Sequence, residues 1–314
     1  MATAAGAHDE DDLKLDSTFF VAFDLTHRAL KSGLAQASDL SVTQYRVLVK
    51  LLAARTTGAT QSSLGKLLAL KPNVVTQAMN VLVDAGFATR SGGKADARVR
   101  TARITEAGVR HVAEANEAIV ERLYALFPTE DAVHRAILEA SIAAGASIDP
   151  PLGGDASSRY AASRALVSLE LVKRGMEDAL RTACGASLSE CRVLQRLGEV
   201  NEPLRIGDLA TQLQMTPVAV ARAVDGLVGH AWAQRLASPH DRKAVFAAAT
   251  PQGLRQQKII VRTIDLLART QLWSRLDDHQ RRALARAWRV VIADMQARKE
   301  AERKAALGLL QPLE

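Results

Sequence analysis

SVTQYRVLVKLL, from Ser41 to Leu52, and SLSECRVLQRLG, from Ser187 to Gly198, decide how this chain is organised. Set one above the other, they place Arg46-Val47-Leu48 on Arg192-Val193-Leu194 at an offset of 146 residues. Further along, Pro72 falls on Pro217, Leu82 on Leu227, Arg90 on Arg235, Asp96 on Asp241, Thr105 on Thr250 and Gly108 on Gly253, all at an offset of 145. One deletion in the loop near Thr57 or Asn201 accounts for the change. A single register held over more than 60 residues marks an internal repeat. Its period is far too long for a solenoid, so each copy is expected to be a whole domain.

The pattern within a copy is helical first and extended later. Leu13 to Ala35 reads as a long helix. Ser41 opens a second, with Tyr45, Leu48, Val49 and Leu52 at helical spacing. Gly58 breaks it, and a short third helix runs from Gln61 to Leu68. Pro72 starts a fourth, where a first-turn proline is tolerated because its N–H would be free anyway. Val75, Met79 and Leu82 form the apolar stripe of that helix. Asn73, Thr76, Gln77 and Asn80 face the other way. Phe87–Arg90 and Arg98–Ile104 alternate as two short strands around the basic tip Ser91–Lys94. Thr105 caps a long helix to about Phe127, and Pro128-Thr129 begins the last one. The second copy repeats the order: a helix from Pro217 to Val228, strands at Trp232–Leu236 and Val245–Ala249, a long helix opened by Thr250-Pro251, and a charged helix from Asp277 to Ala305. Between the copies, GASIDPPLGGDASS (Gly145–Ser158) reads as a linker.

Five segments follow: an N-terminal lead-in (1–12) expected to be disordered, a first domain (13–145), a linker (146–157), a second domain (158–305) and a tail (306–314). The fold class is mainly α, two tandem winged helix-turn-helix domains with two- to three-stranded wings. An exposed polar helix followed by a basic hairpin suits a duplex. The helix fits a major groove, and the hairpin reaches a phosphate or the minor groove.

Composition agrees with that partner without establishing it. The net charge is +7. Residues 1–150 carry 16 Lys+Arg against 17 Asp+Glu, and residues 151–314 carry 25 against 17. Five of the acids in the first half precede residue 17, so its folded part is mildly basic too. No apolar run approaches a membrane span, and two cysteines make no disulfide framework, so the expected location is the cytoplasm. Cys184 and Cys191 read as small buried apolar residues before redox sensors. No His/Cys/Asp/Glu group has metal spacing, and no phosphate-cradling or nucleophile motif occurs. Neither a cofactor nor an enzyme activity is expected.

DRKAVFAAATPQG, from Asp241 to Gly253, following LVGHAWAQRLASPH, resembles the wing of the MarR family of transcription regulators. DARVRTARITEAG, from Asp96 to Gly108, is a degraded version of the same pattern. The order of elements is similar twice over. MarR proteins are usually homodimers of about this repeat length, so the resemblance implies such a dimer fused into one chain. It implies a pseudo-two-fold body with two reading heads. Its helical core would be built from Leu13–Ala35, Ala107–Ala144, Arg159–Ala183 and Gln252–Ala305. It further implies a regulator, a repressor relieved by a small aromatic or phenolic effector, that binds an imperfect palindrome in double-stranded DNA as a monomeric pseudo-dimer. A further homodimer is left open.

The candidate DNA contacts in the first copy are Asn73, Thr76, Gln77 and Asn80 on the helix, and Lys94, Arg98 and Arg100 on the wing. Ala97 takes the place of the second wing's Arg242. In the second copy the candidates are Arg222, His240, Arg242 and Lys243. Val218, Ala219 and Ala221 leave the second recognition helix with little hydrogen-bonding capacity. Phe23, His27 and Tyr45 are candidates for an effector pocket, though ordinary core suits them as well. The alternative function is a protein-interaction scaffold whose winged helices have lost specific DNA binding.

Overall fold

The computed structural model describes residues 15–92, 100–149, 159–237 and 245–308. The described chain is mainly helical, with two small antiparallel sheets. It divides into two compact units: Thr26–Leu171, and Met1–Leu25 together with Val172–Glu314. Helix α1 (Ser17–Ala37) and helix α7 (Ala161–Cys184) are each shared, one end to each unit.

In the unit Thr26–Leu171 the reading head is α2 (Val42–Ala53), β1 (Ala59–Thr60), α3 (Gln61–Leu68), α4 (Pro72–Asp84), β2 (Ala88–Gly92) and β3 (Arg100–Ile104). Helices α5 (Glu106–Leu126) and α6 (Ala132–Ile148) follow. A capping box between Ser41 and Gln44 starts α2, and another between Thr60 and Ser63 starts α3. Ala69 then turns left-handed at φ 50°, which ends α3 and redirects the chain into α4. Leu48, Leu51, Leu64, Leu68, Val75, Met79 and Leu82 are fully buried between these helices. Strand β3 is central. It pairs with β2 from Ala88↔Ile104 to Gly92↔Arg100, and with β1 at Ala59↔Ala102.

The other unit carries α8 (Leu188–Val200), β4 (Leu204–Arg205), α9 (Ile206–Leu213), α10 (Pro217–Gly229), β5 (Ala233–Ala237) and β6 (Val245–Ala249) in the same order. A capping box between Ser187 and Glu190 starts α8, and Gln214 turns left-handed at φ 52° after α9. Strand β6 pairs with β5 at Ala233↔Ala249 and with β4 at Leu204↔Ala247. Helix α11 (Pro251–Leu267) continues through a wide turn at Ala268–Leu272 before α12 (Asp278–Gly308).

The arginine of the repeated Arg-Val-Leu has a structural task in each unit. Arg46 is completely buried, and its Nη2 donates to the Leu68 carbonyl at 2.9 Å. Arg192 donates likewise to the Leu213 carbonyl at 2.6 Å. A helix end leaves carbonyls without partners, and a cation there satisfies both the hydrogen bond and the dipole. Each arginine thus clamps the helix that precedes the helix-turn-helix onto the end of that motif's first helix.

The Thr-x-x-Gly pair is a latch. Thr105 Oγ1 accepts from the Gly108 N–H at 3.0 Å and donates to the Gly86 carbonyl at 2.7 Å. Thr250 does the same with Gly253 and Ala231, at 3.0 and 2.7 Å. Glycine is required at the fourth position, because a Cβ would collide with the carbonyl oxygen of Phe87 in one unit and of Trp232 in the other.

Some boundaries moved for local reasons. Helix α1 starts at Ser17 rather than Leu13, because Asp16 Oδ1 accepts from the N–H groups of Thr18 and Phe19. Helix α6 runs to Ile148, into the stretch expected to be linker. Its end is held by a buried cluster: the Asp149 carboxylate pairs with Lys50 Nζ, its carbonyl accepts from Arg164 Nη2 at 3.0 Å, and its N–H donates to Ser168 Oγ at 3.1 Å. Lys50, Asp149 and Arg164 are each buried.

Candidate nucleic-acid interface

The exposed face of α4 is the one expected. Asn73, Thr76, Gln77 and Asn80 are all exposed, while Val75, Ala78 and Met79 behind them are buried. Their side chains are not equally available. Thr76 Oγ1 donates to the Pro72 carbonyl of its own helix at 3.0 Å. Asn80 Oδ1 accepts from Arg90 Nη1 at 2.8 Å, and Arg90 Nη2 reaches the Thr76 carbonyl at 3.3 Å. Asn73 and Gln77 are the two amides on this face whose side chains make no hydrogen bond among the described residues.

Helix α10 presents a different face. Val218 is 61 % exposed, Ala221 is half-buried, and Arg222 and Asp225 are exposed. Asp225 Oδ1 accepts from Arg235 Nη2 at 2.6 Å, and the same nitrogen donates to the Ala221 carbonyl at 3.2 Å. Arg222 is the cation this face offers to an outside partner.

Arg90 and Arg235 were visible only as aligned letters of the repeat. In each unit this arginine leaves the first wing strand and crosses to the recognition helix, so strand and helix hold one geometry. The carboxylate at 225 takes that hydrogen bond where the first head uses the neutral amide at 80. Lys94, Arg98, His240, Arg242 and Lys243 lie outside the described residues. Arg100 opens β3 opposite Gly92.

Phe23 and His27 lie one turn apart on α1, and Tyr45 lies on α2. Phe23 belongs to the unit containing α8 and packs near Phe19, which in turn meets Trp288 at 4.5 Å between ring centroids. His27 and Tyr45 belong to the other unit. His27 Nε2 meets Glu170 Oε2 at 2.6 Å. Tyr45 hydroxyl meets Ser163 Oγ at 2.7 Å, and Asn116 Oδ1 accepts from the Ser163 N–H at 3.0 Å. Burial pushes the Tyr45 hydroxyl well above the ordinary tyrosine value. Two of the three candidates are therefore buried polar groups serving the helical core. A cleft of about 480 Å³ lies elsewhere, at the α7–α8 junction, lined by Glu177, Arg181, Ser187 and Glu190 among others. Cys191 is completely buried and its thiol is pushed up by that burial, as the reading of a small core residue expects. Cys184 Sγ contacts the Leu180 carbonyl at 3.1 Å. Among the described residues, no cluster could hold a metal ion and no helix is long and apolar enough to cross a membrane.

Residues 187–245 match the MarR family model. The matched stretch runs from the cap of α8 to the first residue of β6, so it covers the helix-turn-helix of one unit and reaches into its wing. The chain thus contains a MarR family domain. No curated protein matches by sequence. Several solved structures are similar to parts of the chain. A MarR family transcriptional regulator from Streptomyces coelicolor, solved in complex with DNA, is 24 % identical over 39 % of this chain and 77 % of its own, with a TM-score of 0.37. AbsC, another MarR family regulator from Streptomyces coelicolor, is 19 % identical over 40 % of this chain and 86 % of its own, with a TM-score of 0.36. CouR from Rhodococcus jostii RHA1, solved bound to p-coumaroyl-CoA, is 17 % identical over 46 % and 88 %, with a TM-score of 0.31.

Proposed function

We propose that this chain is a DNA-binding transcription regulator made of two fused MarR-like units, each presenting one reading head to the duplex. The observation that carries the reading is the exposed face of α4. Asn73 and Gln77 stand clear of the core on a helix whose wing strand is tied to it by Arg90. The MarR match at residues 187–245 supports the same role for the second head. Recurrence of the Arg46 and Arg192 clamps, the Arg90 and Arg235 ties and the Thr-x-x-Gly latches supports descent of both heads from one unit.

In this reading the chain acts as a repressor on an imperfect palindrome, because its heads differ. Arg222 reaches the backbone from α10, and Arg242 and Lys243 reach it from the second wing. A small aromatic or phenolic effector weakens binding by preferring one conformation of the helical core. His27 and Tyr45 would then act as framework.

The test is an anisotropy titration of the full chain against duplex DNA from its own promoter. Arg222→Ala with Arg242→Ala is expected to weaken binding at least tenfold. Unchanged nanomolar binding by that double variant sinks the contact assignment. The scaffold reading draws on Val218 and Asp225, an apolar and an acidic group on the face meant for DNA. Absence of DNA binding at low salt, with a stable protein partner, would favour it.

A further inference from the structure

The two recognition helices part company one residue after their first proline. In α4 that residue is Asn73, and in α10 it is Val218. Gln77 is likewise matched by Arg222, one helical turn on. Single exposed hydrophobics are ordinary on a protein surface. The position of Val218 gives its 61 % exposure meaning. It shares a helix face with Arg222, since residues four apart are neighbours. Ala221 between them is apolar, and the carboxylate of Asp225 is taken by Arg235. This face therefore has no free amide or hydroxyl between Val218 and Arg222 with which to read a base edge.

A major groove offers hydrogen-bond donors and acceptors, and one apolar group, the C5-methyl of thymine. Asparagine and glutamine suit adenine, whereas an apolar side chain suits that methyl. On the DNA-binding reading proposed above, we infer that Val218 is a specificity-determining residue that packs on a thymine C5-methyl, with Arg222 anchoring the adjoining backbone. The head built on α4 reads its half-site through the amides of Asn73 and Gln77 instead. The two half-sites then differ in the chemistry by which they are read, which a pair of identical heads could not achieve.

The experiment starts from duplexes enriched from a random pool by the full chain. Each thymine of an enriched duplex is replaced in turn by deoxyuridine, which removes only the methyl. One or two thymines, all in one half-site, should weaken binding about fourfold when replaced, the value for one buried methyl. Val218→Ala should lose that discrimination, and Val218→Thr, which keeps a γ-methyl, should retain it. Val218→Asn should shift the enriched base at that position toward adenine. Val218 is exposed, so these variants leave the core intact. Enriched duplexes that bind equally well after every replacement overturn the inference and leave the DNA reading standing. A discriminating thymine that Val218→Ala still recognises also overturns it. Failure to enrich any duplex overturns the DNA reading itself.

Discussion

Replacing Asp149 with alanine should cost this protein far more than replacing its partner Lys50 with methionine. Both side chains are buried, together with Arg164, so three ionised groups share one site behind α2. Asp149 is the acid among them, and it faces Lys50 directly while its carbonyl binds Arg164. Removing the carboxylate leaves two buried cations without it. Breaking a buried pair from one side costs about 3–5 kcal/mol. Removing the lysine charge instead leaves the carboxylate beside the Arg164 guanidinium, and methionine refills the stem, so about 1 kcal/mol is expected. The pH dependence has a definite sign. Lys50 is held below the ordinary lysine value, because burial outweighs the attraction of Asp149. Between those two values the unfolded chain binds the extra proton, so stability at this site rises with pH. Asp149→Ala removes the attraction, lowers Lys50 further and widens that window downward. The variant should therefore recover part of its loss as the pH approaches the ordinary lysine value. Urea unfolding of the full chain, followed by circular dichroism at neutral and alkaline pH, measures all of this. A loss under 1 kcal/mol for Asp149→Ala, or a larger loss for Lys50→Met, would refute the reasoning.

Other expectations are simpler to test. Ala231 holds φ 59° where the first head has Gly86; Ala231→Gly relieves the left-handed strain of about 1–2 kcal/mol against an unfolded-chain cost of about 0.4–1, for a net gain near 0.5 kcal/mol in thermal unfolding. Gly253→Ala sets a Cβ against the Trp232 carbonyl and should cost about 1–3 kcal/mol, visible in the same assay. Arg235→Ala breaks an exposed ion pair, so its stability loss should stay near 1 kcal/mol or below. Asp225→Asn keeps an acceptor for Arg235 while removing a negative charge from the proposed DNA face, and should tighten DNA binding two- to fivefold in anisotropy.

The repeat made the reading heads legible because it preserved geometry-bearing letters as well as hydrophobic spacing. Gln61–Leu68 and the exposed row Asn73, Thr76, Gln77 and Asn80 emerge where periodicity puts them. The third strands, Ala59–Thr60 and Leu204–Arg205, did not, because two residues are too few to show alternation. In the sequence Arg46 is only an aligned letter of the repeat. Its burial becomes intelligible only when the end of α3 stands beside it with a carbonyl to satisfy. Phe23 and His27 stand four residues apart on α1, so helical periodicity alone puts them on one face. Glu170 and Ser163, which engage His27 and Tyr45, lie 143 and 118 residues away, beyond the reach of any local pattern.

The central claim is that one chain grips one duplex with two heads. Its most direct test is the stoichiometry and salt dependence of binding to an enriched duplex, read by anisotropy from about 50 to about 200 mM salt. One chain per duplex is predicted, with affinity falling about a thousandfold across that range, as for about six neutralised phosphates. No binding at the lowest salt, or saturation only at two chains per duplex, would contradict it.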